Sequence, residues 1–287
     1  MQVELTSATT SDGIKLHGIF LEPETPRSDL IIDALLMVHG SGGNFYASPS
    51  NPRAEQFRDM GIPVALFNMR GHDVIAGHSG GHNIGNAWEI LDECSLDLDA
   101  IVGWLADRGY KRIGMMGSSL GAVKVVYGQA KNQDPRVTAV VSLAPLRFSH
   151  EYYAQCEMAE MHLGYFEEAK ALVAAGKPDQ IMPVEFPNPG AYFTAAVYLD
   201  RHCSERYNIC ADHTDKIKVP LFIGTGTEEK HPRMLNAGRD MHALAEDKNA
   251  NLTWLHLEGG SHGLENMNDV FIEALLKFLG AKQPAAV

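Results

Sequence analysis

Residues 113–124 read Ile113-Gly114-Met115-Met116-Gly117-Ser118-Ser119-Leu120-Gly121-Ala122-Val123-Lys124. An apolar run enters a serine that has glycine two positions before and two positions after it, and a helix-compatible stretch leads out. Such a junction is a strand that turns at once into a helix, and a turn this sharp forces its middle residue, Ser119, into a strained backbone conformation. Small residues at the two flanks let the arms close without collision. The Ser119 hydroxyl then stands above a sheet, at the positive end of a helix dipole. Ser118 is the rival serine, but Met116 and Leu120 occupy its flanks.

Outward from this junction the same rhythm recurs. Ile31–Val38 and Val64–Asn68 are apolar runs, the first ending in His39-Gly40-Ser41-Gly42-Gly43. Val137–Leu143, Val219–Ile223 and Leu252–Leu257 repeat the pattern, with helical stretches at Leu120–Ala130, Met234–Glu246 and Val270–Leu279. Ile84–Arg108 has a helical apolar set (Ile90, Leu91, Leu96, Leu98, Ile101, Leu105) and predicts one long helix. Near the start, Val3–Thr6 and Ile14–Leu21 around Ser11-Asp12-Gly13 predict a hairpin. Strands alternating with helices predict an α/β fold, with a mostly parallel central sheet covered by helices on both faces. From Arg147 to Lys218 the rhythm stops. No strong strand is visible there, and Glu151–Leu163 and Tyr165–Ala175 read as helices. About seventy residues are too many for an ordinary connection. We therefore expect residues 1–146 and 219–287 to form the core and residues 147–218 to be an inserted helical cap.

Composition excludes several classes. The 287 residues are 45% hydrophobic and carry a formal net charge of −12, a surface that repels phosphate backbones and anionic headgroups, so neither nucleic acid nor membrane is an expected partner. The longest apolar stretch is interrupted by Asp33 and is too short to span a bilayer. Cys94, Cys156, Cys203 and Cys210 lack metal-like spacing and are expected as reduced thiols, although the separation of Cys203 and Cys210 would allow a disulfide. With no basic and apolar leader at the N-terminus, a cytoplasmic protein is expected.

Serine is a poor nucleophile and needs a general base. Among thirteen histidines, His262 lies in Gly259-Gly260-Ser261-His262-Gly263, directly after the strand Leu252–Leu257. A histidine there belongs to the same sheet edge as Ser119. His72, His78 and His82 lie in a glycine-rich loop without accompanying carboxylates or cysteines, so no metal site is expected. The base needs an acid to fix its tautomer. Glu228 and Glu229 follow the penultimate strand, and of the two Glu229 is preferred. An alkoxide formed on attack needs two N–H donors. Leu120 follows the nucleophile, and Ser41 sits in the glycine-rich turn after Ile31–Val38. A phosphate-binding loop is disfavoured there, because the Lys-Ser/Thr of a P-loop is missing.

Three motifs in order, His39-Gly40-Ser41-Gly42-Gly43, Gly117-Ser118-Ser119-Leu120-Gly121 and Gly260-Ser261-His262-Gly263, resemble the α/β-hydrolase superfamily over nearly the whole chain. The resemblance implies a Ser119–Glu229–His262 triad, an oxyanion hole at Ser41 and Leu120, and no cofactor or metal. Where the family usually places Asp three residues after a glycine, this chain has Glu229. Asn68–Asp73, Ala87–Ile90 and Gly121–Val126 are also similar to a branch that includes the fungal siderophore-esterase-like proteins. The expected activity is hydrolysis of a small-molecule carboxylic ester through an acyl-enzyme. Amide, thioester or C–C bond cleavage on the same triad are alternatives, and a non-catalytic ligand-binding protein is the rival of a different class. Oligomeric state is left open, a homodimer included.

Overall fold

The structure, a computed structural model, describes residues 3–47 and 51–280. In chain order its strands are β1 (Glu4–Thr9), β2 (Lys15–Leu21), β3 (Ala34–Val38), β4 (Val64–Phe67), β5 (Gly77–Ser79) and β6 (His82–Ile84). They continue with β7 (Ile113–Ser118), β8 (Val137–Leu143), β9 (Ile181–Val184), β10 (Ala191–Thr194), β11 (Leu221–Gly226) and β12 (Leu252–Leu257). The α-helices are α1 (Asn51–Asp59), α2 (Cys94–Asp107), α3 (Leu120–Asn132), α4 (His150–Tyr153), α5 (Ala159–Ala174), α6 (Ala195–His202), α7 (Ala237–Ala245) and α8 (Asn268–Gly280).

Eight strands form one sheet in the order β1-β2-β4-β3-β7-β8-β11-β12. β2 is antiparallel to both β1 and β4, and from β4 onward every neighbouring pair is parallel. The carboxyl ends of β3, β7, β11 and β12 therefore open on one edge. β3 illustrates why its sequence is unbroken apolar. Ala34, Leu36 and Val38 pack on the face covered by α2, α3 and α7, while Leu35 and Met37 pack on the face covered by α1 and α8. A strand buried on both faces has no polar side, and each fully buried aliphatic side chain contributes about 1.5–3 kcal/mol. No helix among the described residues is long and apolar enough to cross a membrane.

Three expectations about elements are corrected. Ile84–Arg108 is not one helix: Ile84 ends the β5–β6 hairpin, Gly85 turns the chain at φ 124°, and α2 begins only at Cys94 after a short 3-10 turn at Leu91–Glu93. Glu89 is drawn away from any helical path into a buried ion cluster with Lys124 and Arg201. The Leu91 N–H instead donates to the Asp200 carboxylate at 3.0 Å.

Second, residues 147–218 contain a strand pair, since β9 and β10 are antiparallel with Met182 opposite Phe193. Pro183 argues against a central strand but is tolerated in a two-stranded ribbon. Third, the helices predicted at Glu151–Leu163 and Tyr165–Ala175 are redistributed into α4 and a single α5. This segment has its own apolar centre, including Tyr153, Met182, Phe186, Phe193 and Tyr198. All four cysteines are free thiols, including Cys203 and Cys210.

Candidate active site

Ser119 sits between β7 and α3 with φ 58° and ψ −118°, a region a non-glycine residue occupies at a cost of about 1–3 kcal/mol. Surrounding bonds hold it there. Its N–H donates to the Leu143 carbonyl at 2.9 Å, and its carbonyl accepts from Ala122 N–H at 3.0 Å. The two glycines are required by contact: a Cβ on Gly117 would lie 2.0 Å from the Gly121 carbonyl oxygen, and one on Gly121 would lie 2.3 Å from that of Val38. The Gly117–Gly121 spacing, with the apolar run before it, indicated this turn, and the dihedrals carry the strain expected of it.

The loops that follow β11 and β12 meet near this edge. His262 Nδ1 is 2.7 Å from Glu229 Oε1. The Glu229 side chain is only 3% exposed, whereas that of His262 is 41% exposed. A carboxylate accepts, so in this contact Nδ1–H is the donor, and a neutral ring so held carries its lone pair on Nε2. Glu228 points elsewhere, into an exposed pair with Lys230 at 3.9 Å. The loop that carries His262 is held from behind. Arg53 of α1 is buried, donates to the Gly263 carbonyl at 3.1 Å and to Asn268 Oδ1 at 2.7 Å, and lies over the Phe271 ring. Gly263 and Leu264 turn the chain here with φ of 78° and 60°.

The turn after β3 closes on Ser119. Gly43 N–H bonds the Gly40 carbonyl at 3.1 Å, and a Cβ on Gly40 would come within 3.2 Å of Ser119 Cβ. The next N–H, that of Ser41, has no acceptor among the described residues. The Leu120 N–H, first in α3, has no intrahelical acceptor. His39 shapes this turn: its Nε2 accepts from Met69 N–H at 3.0 Å and its Nδ1–H donates to the Gly40 carbonyl at 2.8 Å. Burial, followed by the charge of Lys124, pushes His39 down to about 4, so the imidazole is neutral and keeps this tautomer.

Sequence reasoning missed the cluster beneath the site. Glu89, Lys124 and Arg201 are essentially inaccessible. Lys124 Nζ lies 2.6 Å from Glu89 Oε1, close but not aligned as a hydrogen bond, and Arg201 lies 3.0 Å from Oε2. Burial alone would raise the Glu89 carboxyl, but the two cations outweigh it and hold it below the usual carboxylate range. The cluster ties α3, which follows directly on Ser119, to α6 of the 147–218 segment. The available signal was Lys124 itself, a charge within the apolar run Ala122–Val126. The loop histidines do not converge: His72 bonds Asp73 and Asn68, while His78 and His82 lie on the exposed β5–β6 hairpin.

No family model and no curated protein sequence matches the chain. Solved structures do. The α/β hydrolase GrgF from Penicillium sp. sh18 superposes with a TM-score of 0.72 at 18% identity, covering 97% of this chain and 98% of that one. The Pyrococcus furiosus esterase Pf2001 gives 0.67 at 20% identity, covering 96% and 90%. Est1E from Butyrivibrio proteoclasticus, with ferulic acid bound, gives 0.65 at 17% identity, covering 95% and 97%. The protein has the α/β-hydrolase fold, with a mostly parallel eight-stranded sheet and helices on both faces.

Proposed function

We propose that the protein is a serine hydrolase that cleaves a carboxylic ester of a small molecule through an acyl-enzyme on Ser119. The observation that carries this reading is the 2.7 Å contact of His262 with a buried Glu229, at the sheet edge where Ser119 occupies a strained turn. Esterases among proteins of the same fold add support.

In this mechanism His262 Nε2 takes the hydroxyl proton as Ser119 Oγ attacks the ester carbonyl. The Ser41 and Leu120 N–H groups stabilise the alkoxide, each such donor being worth about 10²–10³ in rate. His262 then protonates the departing alcohol. Water, deprotonated by the same imidazole, attacks the acyl-enzyme and releases the acid with Ser119 restored. Glu229 holds the tautomer and balances the imidazolium. Residues 147–218 act as the cap that selects the acyl or alcohol group.

The test combines a fluorophosphonate probe with p-nitrophenyl esters of graded length. Covalent labelling at Ser119, lost in Ser119→Ala, together with ester turnover supports the proposal. A folded protein that neither labels nor turns over any ester would favour the non-catalytic binding reading instead.

A further inference from the structure

The 147–218 segment brings together three side chains with soft or borderline ligand atoms. His150 (α4), His162 (α5) and Cys203, at the C-terminal end of α6, place one ligand atom each within 4.8 Å of one another. His150 Nδ1 and His162 Nε2 are 2.9 Å apart. His162 is fully buried, while His150 and Cys203 are half-buried, so a small ion has a route in. The second ring nitrogen of His162 faces the Tyr198 hydroxyl at 3.4 Å. With His162 Nδ1–H donating to that hydroxyl, the ring's lone pair is on Nε2, which faces His150, and such a partner on the other ring nitrogen is the usual outer support of a metal-bound histidine.

We propose that His150, His162 and Cys203 form a zinc-binding site that pins α4, α5 and the end of α6 to one another. In a tetrahedral zinc centre, with Zn–N near 2.0–2.1 Å and Zn–S near 2.3 Å, ligand atoms stand about 3.3–3.6 Å apart. The 2.9 Å nitrogen pair must open by a few tenths of an ångström and the sulfur must come to a comparable distance, both within the reach of side-chain rotation. Two imidazoles and a thiolate suit zinc and not magnesium or calcium, which require oxygen ligands. The fourth position is left for water. Binding displaces the Cys203 thiol proton, while the His150 proton moves to its other ring nitrogen, so one proton leaves per zinc. The cluster is distinct from the triad, so this inference does not depend on the esterase reading.

The experiment uses the untagged, full-length protein, stripped with a chelator and dialysed against Zn²⁺, with metal counted by mass spectrometry. Cobalt(II) substitution then reads the thiolate through its near-ultraviolet charge-transfer band. One zinc per chain is expected. Cys203→Ala and His150→Gln should each weaken binding more than 100-fold, since losing even outer-shell support costs roughly 10–100-fold. The cobalt band should vanish in Cys203→Ala. His162 is too buried to be the primary test, and circular dichroism verifies that the two half-buried variants remain folded. His78→Gln, on the exposed hairpin, is the control and should bind as the parent does. The site is refuted if the parent retains no zinc, if cobalt binds without a thiolate band, or if either folded variant binds zinc as tightly as the parent.

Discussion

Glu229→Gln isolates the contact on which the proposed mechanism turns. The carboxylate is almost inaccessible and 2.7 Å from His262 Nδ1. An amide in its place removes the negative charge that faces the imidazolium as Ser119 is deprotonated. With charge centres about 4 Å apart at an effective dielectric constant near 20, that charge is worth about 4 kcal/mol. At 1.36 kcal/mol per decade this is about 10³ in rate. A second loss comes from the tautomer. If the amide NH₂ faces Nδ1, the proton resides on Nε2 and the imidazole cannot accept from Ser119, and an acid-to-amide change of this kind has cost about 10⁴ elsewhere. Because His262 is two-fifths exposed, water screens part of the charge, so kcat should fall 10³–10⁴-fold with the lower end favoured. Glu228→Gln removes only an exposed charge 3.9 Å from an exposed lysine and should change kcat less than about twofold, as surface pairs are worth 0–1 kcal/mol. Initial rates on p-nitrophenyl acetate, with thermal melts to verify folding, decide the matter. The reasoning fails if Glu228→Gln is the more damaging change, or if folded Glu229→Gln keeps more than a tenth of the parent rate.

The remaining expectations follow from the same geometry. Ser119→Ala should lower kcat by up to about 10⁶ and abolish probe labelling while Ser118→Ala keeps both; the reverse pattern would move the nucleophile by one residue. Gly121→Ala puts a methyl group 2.3 Å from the Val38 carbonyl oxygen, so urea unfolding should register a loss of at least about 1–3 kcal/mol, the range for overpacking, and an unchanged midpoint would contradict the contact. Glu89→Gln leaves Lys124 and Arg201 buried without their anion, a loss of about 3–5 kcal/mol, and a loss under 1 kcal/mol in the same assay would mean that water reaches the cluster. His39 is held near 4 in the fold against an ordinary value of 6.5, so between these values the unfolded chain binds a proton that the native one refuses. Its contribution, about 3 kcal/mol in full, is present above pH 6.5 and lost as pH falls toward 4. His39→Gln should flatten that slope by up to one proton, and an identical slope in parent and variant would assign it to other groups.

Much of this was legible in the sequence because it is local. A strand buried on both faces is dominated by apolar side chains, so the runs that contain Ala34–Val38 and Val137–Leu143 announce themselves without knowledge of their neighbours. The Gly117–Gly121 spacing encodes a steric demand satisfied within five residues, and the chain order of Ser119, Glu229 and His262 follows from the order of the strand ends that carry them. The choice between Glu228 and Glu229 was of another kind. Both carboxylates stand after the same strand, and only the packing of Glu228 N–H on the Gly260 carbonyl at 3.0 Å, with Glu229 turned to His262, distinguishes them. The long helix expected at Ile84–Arg108 has the right apolar period. Its first part is nevertheless pulled apart by partners far along the chain, Lys124 for Glu89, Arg201 for Asn86 and Asp200 for the Leu91 N–H. The β9–β10 ribbon is short, contains a proline, and forms only because residues seven or more apart pair across the Phe186–Gly190 turn. Nor could the thirteen histidines and four cysteines of the chain indicate that His150, His162 and Cys203, spread over fifty-odd residues, would meet. Periodicity and local sterics specify elements and sharp turns, because their energies depend on near neighbours in the chain. Which buried charge finds which partner is decided by desolvation, which no residue experiences until the whole chain has closed around it.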